Sequence, residues 1–350
     1  MFEGDTGDPS TLASQVDKLK RRFGRKRVVL VGDRGRITSA RIAADLKPAG
    51  LDWITALRAP AIQALAEGGP LQLSLFDQRD LAEIASPDYP DERLIVCQNP
   101  DLATERARQR EELLAATERE RAKIKAAVER ERSPLAGRDK IGLKVGTVLG
   151  RRKMAKHFRL AIADDSLTFA RDEAAITKEA ALDGFYVLRT SVPTGTLGTE
   201  ETVLAYKSLA QVERAFRSLK TVDLEIRPVH HRLAGRVRAQ VFLCLLADHV
   251  PWHMRQALAP LLFDDHDRQS AAAARPSPVA AAKVSPAATA KATSKRTADG
   301  QPVHSWRSLL QDLATLTRNT VRLGGAPPIT MLTRPTPPQQ DVFHRLGLAL

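Results

Sequence analysis

The run Val28-Val29-Leu30-Val31, closed by Gly32-Asp33-Arg34-Gly35, constrains this chain more than any other feature. Four consecutive aliphatic residues leave no polar side for solvent, so the run reads as a short strand buried on both faces. Upstream, Asp8-Pro9-Ser10-Thr11 precedes Leu12, Val16, Leu19 and Phe23, a cap followed by apolar positions at helical spacing. Downstream, Thr38 or Ser39 can cap a helix that ends near Lys47, where Pro48 and Gly50 stop it, and residues 51–57 read as a second strand. The order helix, strand, helix, strand predicts an α/β layer with at least partly parallel pairing.

From residue 60 to residue 198 the character changes. Short strand candidates at 71–76, 94–97, 158–163 and 185–189 surround a densely charged helix over 101–132, whose apolar points, Leu113, Leu114, Ile124 and Val128, are sparse. Such a helix reads as a solvated rod laced with i to i+4 ion pairs. Helical character returns over 200–220 and 236–262, with Pro251 expected to kink the second of these. Residues 270–302 form an Ala/Pro/Ser/Thr/Lys tract with few large apolar groups and read as a flexible linker. A helix over 306–321, a Pro-rich loop and a short helix complete the chain. The implied division is 1–59 and 199–263 as two parts of one core, 60–198 as an inserted α+β subdomain, 264–303 as linker and 304–350 as a helical tail.

Charge narrows the partner. Lys plus Arg number 54 against 41 Asp plus Glu, a net +13 that favours a polyanion, nucleic acid first among them. Aromatic content of 5% argues against extended base stacking on single strands. Cys97 and Cys244 sit in apolar runs without metal-ligand spacing, which predicts buried thiols in a reducing compartment. The start of the chain lacks a secretory pattern and the apolar segment 241–246 is too short to span a bilayer, so a cytoplasmic protein is expected.

Two places could carry chemistry. Asp33 stands at the carboxyl end of a predicted strand, where open α/β sheets bind ligands, although an Asp there can equally accept turn hydrogen bonds. Within residues 206–220, seven residues separate Tyr206 from Glu213 and seven more separate Glu213 from Lys220, close to two helical turns each, with Arg217 beside them. Leu209, Val212, Phe216 and Leu219 would form an adjacent stripe docked on the sheet. Ser208 and Gln211 also read as a capping box, which would leave Tyr206 in the turn before the helix. Ordinary Glu and Lys pairing accounts for the spacing alone.

Tyr206, Glu213 and Lys220 resemble the Tyr-Arg-Glu-Lys signature of the insertion-sequence-four superfamily of DDE transposases, with Leu209 where the signature has Arg. The string from Val28 to Gly35 resembles that superfamily's second-Asp strand, and the segments 223–232 and 236–246 resemble the stretch beyond its catalytic Glu. The resemblance implies an RNase H-like, retroviral-integrase-like core with an insertion between the second Asp and the Glu. Asp33 and Glu213 would be catalytic carboxylates binding Mg²⁺, with Mn²⁺ able to substitute, and Tyr206, Arg217, Lys220, Arg232 and Arg236 would contact DNA. His230 and His231 are soft for Mg²⁺ and suit DNA contact or packing. The partner implied is double-stranded DNA, both the terminal inverted repeats and the target, engaged by a homodimer that cleaves and transfers strands. The first Asp of the superfamily lies upstream of the segment that Phe2-Glu3-Gly4-Asp5-Thr6 resembles; Asp5 and Asp8 occupy turn-like sequence. A core incomplete at its N-terminus, with impaired catalysis, is therefore expected. The alternative is a non-catalytic DNA-binding or dimer-forming transposase fragment.

Overall fold

The computed structural model describes residues 7–23, 27–222, 226, 228–265, 267–273, 275–322, 324 and 327–349. They form two compact units, Asp5–Tyr206 and Lys207–Leu350.

In the first unit, helix α1 (Leu12–Phe23) leads to strand β1 (Val29–Val31), a short helix α2 (Ser39–Arg41) that runs on as a π turn (Ile42–Leu46), and strand β2 (Asp52–Ala56). Thr38 caps α2 by accepting from the Arg41 amide at 3.4 Å. Helix α3 (Ala59–Glu67), strand β3 (Leu81–Ile84) and strand β4 (Arg93–Gln98) follow. Together with β7 (Phe185–Thr190) they build one sheet of order β1-β2-β7-β4-β3, parallel only between β1 and β2.

This order corrects the reading of the aliphatic run. β1 is an edge strand whose three residues are only half-buried, because a single neighbour covers it. Burial on both faces belongs to β4, where Leu94, Ile95, Val96 and Cys97 are all 0% exposed, and to Val187 and Leu188 of β7. The predicted strand at 71–76 is instead a 3-10 turn, Leu73–Phe76. It aims Phe76 into the core, edge-on to Phe185 at 5.1 Å. Strands on both sides of residue 59 share the sheet, so the excursion from it runs from 99 to 184.

That excursion holds α4 (Pro100–Glu129), α5 (Arg138–Arg152), the hairpin β5 (Phe158–Ile162) and β6 (Leu167–Arg171), and α6 (Glu173–Ala180). Asn99 starts α4 by accepting from the Asp101 and Leu102 amides at 3.0 and 3.2 Å. The helix is less solvated than its charge suggests. Leu114, Thr117, Arg121 and Val128 fall at helical spacing and are buried, facing α5 and the hairpin. Its acids also reach across elements: Arg171 of β6 pairs with Glu111 and Glu118 at 2.7 Å each, and Arg152 of α5 with Glu120 at 2.7 Å. α7 (Thr199–Lys207) closes the unit.

In the second unit, α8 (Leu209–Arg217) passes into a π turn (Ser218–Val222), and α9 (Ala234–Leu258) contains Pro251. Where a flexible linker is expected, α10 (Arg268–Ala273) and α11 (Pro286–Ser294) form instead. Alanine favours helix without needing a large apolar face, and the tract is tied down by polar contacts. The buried ammonium of Lys291 donates to the carbonyls of Ala259, Leu262 and Asp264 at 3.2, 2.7 and 2.9 Å. The Ser285 amide and hydroxyl each donate to Asp265 at 2.7 Å. The tail helix α12 (Trp306–Leu313) is shorter than expected, since residues 314–321 turn into a hairpin of β8 (Arg318–Val321) and β9 (Ile329–Leu332) before α13 (Pro337–Arg345). Leu258, Leu261, Leu262, Leu309 and Val342 form the core here. Among the described residues no helix is long and apolar enough to cross a membrane.

Candidate catalytic and DNA-contacting residues

Asp33 follows β1 directly. The Gly32 amide donates to the Ile54 carbonyl at 3.1 Å, carrying the parallel pairing one residue past the strand. A side chain at Gly32 would come within 2.8 Å of Ile37 Cδ1, so glycine lets Ile37 fold beneath the strand end, where it is 4% exposed. Asp33 Oδ1 accepts from the Gly35 and Arg36 amides at 2.9 and 2.8 Å, and the Asp33 carbonyl accepts from Ile37 N at 3.0 Å. One carboxylate oxygen thus caps the turn, while Oδ2 accepts no hydrogen bond from the described residues and the side chain is exposed. The turn-capping reading of this residue is therefore seen in Oδ1.

The turn is backed by a polar anchor that no sequence pattern announced. Arg189 of β7 donates to Glu92 from Nε and Nη2 at 2.6 Å each, and from Nη1 to Ser39 Oγ at 2.7 Å. Ser39 begins α2, so the pair fixes the far end of the loop carrying Asp33. Burial, with the like charge of Arg34 adding to it, holds the Arg106 guanidinium below its ordinary value.

Glu213, Arg217 and Lys220 sit together in the second unit, the first two on α8 one turn apart and the third in the π turn. Lys220 Nζ lies 5.7 Å from the centre of the Phe216 ring. Tyr206 belongs to α7, across a break at Ser208. The expected capping box is not formed: Ser208 is in helical conformation and makes no side-chain cap. The even two-turn ladder is therefore interrupted at both ends, by the break and by the wider π turn, a feature frequent at functional sites. Along the apolar stripe Val212 and Phe216 are 51% and 52% exposed, whereas Leu219, at 7%, is buried. Arg232 and Arg236 are exposed, in the approach to α9 and in its first turn. Asp223 and Glu225 lie outside the described residues.

A family model described as the transposase DDE domain matches residues 2–247, a span that contains every one of these side chains. The chain belongs to that family. No curated protein and no solved structure matches it. As a transposase it acts on DNA, and DDE domains typically use a divalent metal ion. Asp33 and Glu213, each in its own unit, carry exposed carboxylates, the hard oxygen type that Mg²⁺ prefers. In number they fall short, because the described residues hold no group of three His, Cys, Asp or Glu arranged to bind a metal.

Proposed function

We propose that the chain cleaves and transfers DNA strands at insertion-sequence ends, with Asp33 and Glu213 as two of the carboxylates that hold Mg²⁺ or Mn²⁺. The observation that carries this reading is Asp33 itself: a rigid turn at a sheet edge, inside the matched DDE span, presenting one carboxylate oxygen that the fold does not use. Metal bound there supplies a lowered pKa for the attacking water and stabilises the leaving oxygen. The protein's own contribution is position and charge. Asp33 is held by its turn and by the Arg189 anchor, while Arg217, Lys220, Arg232 and Arg236 neutralise phosphates and the Tyr206 hydroxyl hydrogen-bonds to one, setting the DNA in register.

On this reading the sheet and the Glu213 helix belong to an RNase H-like core, and the inserted body is residues 99–184 rather than 60–198. The enzyme works as a homodimer on paired inverted repeats in the cytoplasm. The test is a nicking and strand-transfer assay on duplexes taken from either side of the coding sequence, with Mg²⁺ or Mn²⁺. Metal-dependent products lost in Asp33→Asn and in Glu213→Gln support the reading. End-specific binding without metal-dependent nicking supports a non-catalytic DNA-binding fragment instead.

A further inference from the structure

Helix α9 carries His249 and His253 one turn apart, both exposed, three and seven residues beyond Leu246 and outside the matched DDE span, which ends at residue 247. Their Nε2 atoms are 3.1 Å apart, and the rings meet edge to face with centroids 4.4 Å apart. Trp252 lies against one of the two, its ring 4.7 Å from that of His253. A hydrogen bond between two exposed imidazoles competes with water and contributes little to stability, so it does not explain why both nitrogens converge.

We propose that His249 and His253 form a two-nitrogen site for a borderline transition-metal cation of the Ni²⁺, Cu²⁺ and Zn²⁺ class. Positions i and i+4 share one helix face, and two neutral imidazoles there can chelate one ion. With metal–nitrogen bonds of about 2.0–2.1 Å at right-angled to tetrahedral geometry, the two nitrogens must be about 2.9–3.3 Å apart. The observed 3.1 Å lies inside that window. In the metal-free pair one Nε2 carries a proton and the other accepts it. On binding, that proton moves to Nδ1 of its own ring, each Nε2 donates a lone pair to the ion, and water fills the remaining positions. Imidazole selects this class of cation over Mg²⁺, so the site is chemically separate from the carboxylates and does not rest on their role.

Titration of the whole chain with NiCl₂, in millimolar MgCl₂ and followed by calorimetry and by tryptophan emission, tests the site. The expected result is one saturable equivalent that quenches Trp252 emission, with its midpoint raised at least tenfold in both His249→Ala and His253→Ala. Trp252→Phe should keep the equivalent and lose most of the quench. Both histidines are exposed, so unchanged circular dichroism in the variants is expected and separates lost binding from lost folding. Ni²⁺ held at His230 and His231 would persist in both variants. An unchanged midpoint in either alanine variant, no saturable equivalent in the wild type, or its displacement by equimolar Mg²⁺ overturns the proposal.

Discussion

Arg189 and Glu92 face each other in a bidentate ion pair whose side chains are only 8% and 3% exposed, with Arg189 also over the Tyr89 ring at 4.9 Å. Removing one partner of such a pair leaves an uncompensated buried charge, which typically costs about 3–5 kcal/mol. Arg189→Met should therefore lower the urea midpoint strongly, whereas Ser39→Ala should cost only about 1 kcal/mol, the loss of one hydrogen bond. Equal losses in the two variants would show that the pair is not what fixes this corner of the sheet.

Arg121 gives the opposite expectation. Its guanidinium is fully buried, stacked 3.8 Å over the Phe158 ring and 5.7 Å from the Phe169 ring, yet none of its three nitrogens has a hydrogen-bond partner among the described residues. Burial pushes its pKa down. The stacking is worth about 2 kcal/mol when desolvated, less than the several kcal/mol that burying an ion costs. Arg121→Met keeps a contact to the rings and removes the charge, so it should leave the melting temperature unchanged or raise it. A marked fall would contradict this.

Gly184 is held at φ +82°, and a side chain there would sit 2.6 Å from the Asn99 carbonyl oxygen. The same two residues are joined by the Asn99 amide donating to the Gly184 carbonyl at 3.0 Å, which ties the start of α4 to the start of β7. Gly184→Ala meets both the backbone strain, about 1–3 kcal/mol, and the clash. Chemical denaturation should show a larger loss than for Gly142→Ala, where a side chain would meet open space. Comparable losses would rule out the close approach as the reason for glycine.

Acid should loosen the joint between α4 and β6. Hydrogen bonds from Arg171 hold the carboxyls of Glu111 and Glu118 below their usual range. A depressed folded-state pKa stabilises above the unfolded value, about 4.3 for Glu, and that contribution is lost as pH falls through the folded value. The difference in urea midpoint between the wild type and Arg171→Gln should be present at pH 7 and shrink below about pH 4. A difference constant down to pH 2 would mean that the arginine acts by packing alone.

Much of this molecule was legible in its sequence, in proportion to how local the determining physics is. Helix α4, strands β2, β4, β5 and β7 and the turn after β1 follow from periodicity and capping residues. The rank of β1 did not, because an aliphatic run signals a strand but not how many neighbours it gains. β3 and β6 were missed because short half-buried strands such as Leu81–Ile84 lack a distinct apolar pattern. The ordered tract around α11 was missed because its order comes from one lysine and one aspartate meeting backbone distant in sequence, Lys291 with residues 259–264 and Asp265 with Ser285. Among the candidate residues, the place of Asp33 just after a strand and of Glu213 and Arg217 on one helix was legible from the sequence. Ser208 and Gln211 marked the helix start at Ser208, but the separate helix that holds Tyr206 and the π turn at Ser218–Val222 could not be read, since the spacing of seven fits an uninterrupted helix equally well.

The phosphate contacts proposed for Arg217 and Lys220 make a separable prediction. Arg217→Ala and Lys220→Ala should each weaken duplex binding across sequences and reduce the slope of log affinity against log salt by about 1, as for a lost phosphate contact. Fluorescence anisotropy over a salt series measures both. Slopes equal to the wild type would place these side chains off the DNA.

The claim on which the rest turns is that Asp33 and Glu213 serve the same divalent ions. Electron paramagnetic resonance of Mn²⁺ titrated into the DNA-bound chain measures it without requiring turnover. The account predicts bound Mn²⁺ that is competed by Mg²⁺ and is weakened in Asp33→Asn and Glu213→Gln alike, with DNA affinity retained. Mn²⁺ binding that is indifferent to either substitution would contradict it.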